Sequence, residues 1–165
     1  MRTDDVVLSL TTLLAELVDG VEAGGGAMIL NSGDVGLLRS LDQLSAADAS
    51  GSVHAGATIA AHAQHLRYGL SLMNRWAEEG GNPFADARWD EAWKTTSVGE
   101  DEWREIRDGL RDEAHRWHRA IGTPREVARI ELSGMIASIA HVAYHLGAIR
   151  QIAARARGPR EGTFA

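Results

Sequence analysis

The chain has 165 residues, 44% apolar and 24% charged, with seven histidines, five tryptophans and no cysteine. That length suits one domain spanning residues 1–165, and the composition is that of an ordinary globular protein. Without cysteine there is no disulfide, zinc ribbon, thiolate iron–sulfur centre or cysteine nucleophile, so soft-metal or acid–base chemistry must run on histidine and carboxylate. The net charge of −6, from 17 Lys+Arg against 23 Asp+Glu, argues against a nucleic-acid binder, which needs a concentrated basic face.

In chain order, Leu10, Leu13, Leu14, Leu17, Val18 and Val21 recur at helical spacing from about residue 4, predicting an amphipathic helix that ends at Gly24-Gly25-Gly26. Asp34 is placed to cap a short helix carrying Leu37, Leu38, Leu41 and Leu44, and Ser45-Ala-Ala-Asp48 reads as a capping box for one further turn. Gly51 to Gly56 is a loop. A second long helix is expected from about Ala57 to Glu79, stopped by Gly80-Gly81-Asn82-Pro83. Residues 84–96 hold Phe84, Trp89 and Trp93 without a clear period, which predicts an ordered connection able to wall a pocket or anchor a satellite cluster. Ser97-Val-Gly-Glu100 reads as a capping box for a third helix with Trp103, Ile106, Leu110, Trp117 and Ile121 on one stripe, ending at Gly122. Thr123-Pro124-Arg125-Glu126 predicts the start of a fourth, running to about Arg157 with a bend near Ser133-Gly134. No useful stretch alternates with period two, so the fold class is all-α: four long helices with extra short ones in the connections.

The start, Met1-Arg-Thr-Asp-Asp, leads into an amphipathic stretch rather than a signal peptide's apolar core. The most apolar segment, Met135 to Ile149, contains two histidines and is short for a bilayer span. A cytoplasmic protein without membrane association is expected. The basic cluster Arg150, Arg155, Arg157 and Arg160 reads as a solvated helix end whose cations complement the helix dipole.

The fourth helix carries the chemistry. Ile139, Val142, Leu146, Ile149 and Ala153 form one apolar stripe, with Ser138, His141, His145, Ala148 and Ile152 beside it. His141 and His145 therefore point inward four residues apart, where both imidazoles can reach one metal ion. On the second helix His62 shares a face with Ile59, Leu66 and Met73, while His65 lies about a quarter turn or more away with Ala61, Tyr68 and Leu72. Either can reach the interior, and the company of His62 favours it. From these residues alone, a metal site and hydrogen-bonded core histidines stand level. Val142, Ala143 and Tyr144 lie between the paired histidines, so the glutamate of the zincin motif is missing. His54, in a loop, and His115 and His118, on the third helix, are assigned no metal role.

Asp34-Val-Gly-Leu-Leu-Arg-Ser-Leu, Ile59-Ala-Ala-His62-Ala-Gln-His65-Leu and His141-Val-Ala-Tyr-His145-Leu-Gly-Ala-Ile-Arg150-Gln resemble the DinB/YfiT superfamily of damage-inducible-type proteins, in motif order over essentially the whole chain. The resemblance implies a four-helix bundle, a homodimer, and a divalent metal held by one histidine of the second helix and two of the last. By position these are His62, His141 and His145, with His65 the near alternative.

Three neutral nitrogen ligands leave coordination positions open, as in catalytic rather than structural sites. Zinc and nickel both suit imidazole. The ion can generate hydroxide from bound water or bind and deprotonate an external thiol. Relatives in the superfamily include transferases and isomerases that use low-molecular-weight thiols, so the resemblance makes thiol transfer to a small-molecule electrophile the leading expectation. A non-catalytic metal- or ligand-binding module and a metal-dependent hydrolase are the rivals. Ser138, Tyr144 and Gln151 lie along the last helix as candidates for supporting the ligands, and Arg150 as a candidate for a thiol cofactor's carboxylate. No catalytic base is evident.

Overall fold

A computed structural model describes residues 3–53 and 55–159. The described residues hold seven α-helices, a 3₁₀ turn and no strand: α1 (Thr3–Asp19), α2 (Gly36–Asp42), α3 (Ala46–Ala49), α4 (Ile59–Glu79), α5 (Trp89–Ala92), α6 (Glu100–Gly122) and α7 (Arg129–Ile152), with the turn at Ala154–Ala156. Met1, His54 and Arg160, which entered the reading of the start, a loop and the basic tail, lie outside the described residues.

Of the four long helices, α4 packs on α6 and α7, and α1 packs on the same two. Every one contributes to a shared core in which Leu14, Leu17, Ile59, Leu66, Leu110, Val142 and Ile149 are at most 1% exposed. Each such side chain contributes about 1.5–3 kcal/mol on leaving water. Trp103 and Trp117 are fully buried on the α6 stripe, as expected. Their indole N–H groups are satisfied, donating to the Leu44 carbonyl at 2.8 Å and to Ser138 Oγ at 2.8 Å.

The element boundaries differ from the sequence reading where a distant partner outcompetes a local signal. The first helix stops at Asp19, before the glycine run, because Gly20 takes φ +92° and Gly36 φ +71° where the two backbones cross. A Cβ on Gly20 would lie 2.2 Å from the Asp34 carbonyl, so only glycine lets the strands of loop approach this closely. The predicted box at Ser97–Glu100 does not form: α6 has no side-chain cap, and Glu100 instead accepts the Ala46 N–H of α3 at 3.0 Å. The Ser45–Asp48 box does form. Thr123 closes α6 by donating to the Arg119 carbonyl at 2.9 Å, so α7 begins at Arg129, where Glu131 accepts the Ala128 N–H at 2.8 Å. The helix runs unbroken through Ser133-Gly134 and ends at Ile152, five residues short of the expected Arg157.

At 24 residues α7 is long and apolar enough, by length and composition, to cross a membrane, which removes the argument from shortness. Its inner face, from Met135 through Val142 to Ile149, is buried against the other helices, while Ile130, Ile136 and Tyr144 are exposed.

Arg150 is no free cation. Its guanidinium donates to Asp34 Oδ1 at 2.6 Å, and Nε donates to the Ala156 carbonyl at 3.1 Å. Asp34 is 1% exposed and also accepts the Gly36 N–H at 2.8 Å, but it does not cap α2 as the sequence predicts. The N-cap position falls on Val35 without a side-chain cap, and Asp34, drawn to Arg150, instead ties the loop before α2 to the end of α7. Removing the cation would leave a buried, uncompensated carboxylate, a loss of about 3–5 kcal/mol. Chemical denaturation of Arg150→Met should show a loss of that size. Arg155→Met, which breaks an exposed 3.5 Å pair with Asp48, should change stability by less than about 1 kcal/mol.

Candidate metal centre

The helices α4 and α7 pack with opposite chain directions, so His62 meets His145 and His65 meets His141. A Thr58 cap fixes the start of α4: its hydroxyl accepts the Ala61 N–H at 3.2 Å, one residue before His62. On α7, His141 and His145 lie one turn apart, with Nε2 atoms 2.8 Å from each other. His65 Nε2 is 3.2 Å from His141 Nε2.

His65, His141 and His145 thus form a triad whose ligand atoms all lie within 4.8 Å of one another, positioned to hold a metal ion. His62 occupies a different place from that given it by the sequence reading. Its Nδ1 is 2.8 Å from Nδ1 of His145, on the side of that ring away from His141. One of these two Nδ1 atoms must carry the proton. If His145 uses Nε2 as a ligand, its proton resides on Nδ1 and is donated to His62, fixing the tautomer and orientation of the ring.

His62, His65 and His145 are buried and His141 is half-buried. Burial lowers all four pKa values below the ordinary 6.5, because desolvation penalises the imidazolium. For His65, burial and then the neighbouring His141 and His62 bring the value to about 4; for His145, burial and then His141, His62 and His65 bring it to about 3. At neutral pH the rings are uncharged and their lone pairs are available, so the donor set fits a divalent ion of the zinc or nickel kind.

The connection between α4 and α6 supplies a roof. Helix α5 with its cap residue sets Trp89 and Trp93 one turn apart. Trp93 stacks on His65 with centroids 4.3 Å apart, sets its edge against His62 at 5.4 Å and lies 5.8 Å from His145. Trp89 lies 5.4 Å from His65. Trp93 therefore walls the site, one of the two roles open to it from sequence. Among the described residues His65 Nδ1 is buried without a hydrogen-bond partner, while Nε2 faces His141 Nε2.

A cavity of about 870 Å³ opens beside the triad along the α4–α7 groove, with His141 in its wall. The other candidates from the last helix do not join the cluster through hydrogen bonds. Ser138 lines the cavity, but its hydroxyl accepts from Trp117 and donates to the Met135 carbonyl. Tyr144 is 68% exposed with its ring edge on His145, Gln151 is exposed, and Arg150 is held by Asp34. Of the histidines given no metal role, His115 pairs with Asp19 at 2.9 Å, and His118 borders a groove beside α1.

No protein-family model, curated protein or solved structure matches the chain.

Two outcomes follow from this geometry. In metal titrations followed by elemental analysis, alanine at His65, His141 or His145 should abolish stoichiometric binding. His62→Ala should keep one site per chain while weakening it by about 10- to 100-fold. In the metal-free protein, folding should hold its full stability above pH 6.5 and lose it as pH falls toward 4 and then 3. The unfolded chain binds protons that buried His65 and His145 refuse. Denaturation midpoints measured from pH 8 to pH 4 check this, and His65→Leu should flatten the slope.

Proposed function

We propose that the chain is a divalent-metal protein of the DinB/YfiT type, a four-helix bundle whose metal serves transfer of a low-molecular-weight thiol to a small electrophile. The observation that carries this reading is the convergence of three uncharged imidazoles beside a cavity large enough for a substrate. Histidine-only ligation leaves coordination positions for an incoming group. A bound ion would hold an external thiol as its thiolate. In such a transfer the thiol would give up its proton to solvent, and a new sulfur–carbon bond would replace the bond to the leaving group, which would depart with its electron pair.

The lining of the cavity favours thiol transfer over hydrolysis. Among the described residues no aspartate, glutamate or lysine borders it, and its one histidine, His141, belongs to the triad, so no separate general base stands beside the triad to activate water. The reading extends to a homodimer in the cytoplasm, and the exposed Ile130, Ile136 and Tyr144 on α7 offer an apolar face to a second copy.

Metal removal tests the first element. Saturating zinc or nickel at about 100-fold over Kd should add about 2.7 kcal/mol, or roughly 5–10 °C in melting temperature, reversed by chelator. Metal-loaded protein should then consume thiol and electrophile together, and metal-free protein should not. Metal-dependent stability with no turnover across thiol and electrophile panels would make the protein a binding module.

A further inference from the structure

The groove running from the triad along α4 and α7 has a composition that selects its occupant. Leu66, Leu70 and Met73 form one wall, Phe84 and Trp89 close it from the connection, and Ala137 faces them from α7. None of the described residues bordering it is an aspartate, glutamate, lysine or arginine. Its polar side chains are few, and the Ser138 hydroxyl is already committed on both sides. Its other polar side chains include Asn82, Ser133 and His141, none of them a counter-ion, so a charged group placed here would lose hydration without gaining an opposite charge.

The space is kept open by a missing side chain. Gly69 is buried on α4, and a Cβ there would lie 3.7 Å from the Trp89 ring and 3.8 Å from His141 Cε1, both ordinary contacts. Anything much larger than a methyl at this position would occupy the end of the groove next to His141. The cavity of about 870 Å³ is in the range of small-molecule sites, about 300–1,000 Å³.

We infer that this groove binds a neutral small molecule with an aromatic or branched-aliphatic body, its reactive end at His141. The inference deepens the proposed function by naming its substrate class, and rests on that reading only for the orientation toward His141. A carboxylate-bearing thiol would find no cation here, so the charged part of such a thiol belongs outside the groove.

The test uses N-phenyl-1-naphthylamine, a neutral dye that brightens in apolar surroundings and accepts energy from tryptophan. Trp76 and Trp89 border the groove as donors. The full chain should bind one dye saturably, with tryptophan emission falling as dye emission rises. Gly69→Leu and Ala137→Phe, which fill the groove from opposite walls, should each weaken binding by about tenfold or more. Gly69→Ala should bind nearly as the parent does, and the sulfonated analogue 8-anilinonaphthalene-1-sulfonate should bind more weakly than the neutral dye. Ala137 is exposed, so its variant remains informative if Gly69→Leu fails to fold. Unchanged dye affinity in folded Ala137→Phe overturns the inference. A changed oligomeric state in that variant with unchanged dye binding also overturns it and gives the face to a second copy. Parallel metal analysis separates the two readings. Dye binding that responds to Ala137→Phe in a protein that takes up no metal sinks the metal reading alone. Metal-loaded protein that ignores the dye sinks the groove alone.

Discussion

Four imidazoles packed between two helices need partners for their nitrogens, because a buried polar atom without one forfeits its hydration. Here the partners are mostly one another: His62 with His145, His145 with His141, and His141 with His65. This chain of contacts requires one relative placement of α4 and α7. A slip by one residue, about 1.5 Å along the axis and 100° around it, would break it. The remaining helices serve that placement, with α6 and α1 packing on α4 and α7 and Asp34 holding Arg150 five residues beyond His145.

The same burial couples electrostatics to binding. Desolvation keeps the rings uncharged at neutral pH, and an uncharged imidazole is the form that offers a lone pair to a metal. Trp93 contributes on both counts, since its indole excludes water from His62, His65 and His145 while leaving the His141 side open toward the cavity. Apolar cover and chemical access are thereby divided between two sides of one cluster.

The all-α class and the existence of the long helices were legible because apolar residues recur at helical spacing, and the inward direction of His141 and His145 followed from the same stripes. The choice between His62 and His65 was not. Both lie on the inner side of α4, and what separates them is which ring nitrogen reaches the Nε2 atoms of α7. Interhelical crossing and side-chain rotamers set that, and neither is written in periodicity. Capping signals failed similarly at Glu100, whose carboxylate serves Ala46, and at Thr123, whose hydroxyl serves the preceding helix. Arg150 was read as solvated because its partner, Asp34, is far away in sequence. The roof was half visible: Trp89 and Trp93 stood out by composition, but only the fold shows which rings they cover.

Gly69 separates two properties that binding sites usually entangle. It touches the groove and the edge of His141, yet it is not one of the residues whose nitrogens form the triad. A larger side chain there shortens the space available to a guest while the three histidines of the triad keep their identity. Ligand size could therefore drift, in natural variants or in the laboratory, one substitution at a time at a single position, while the metal-binding residues stay under unchanged selection.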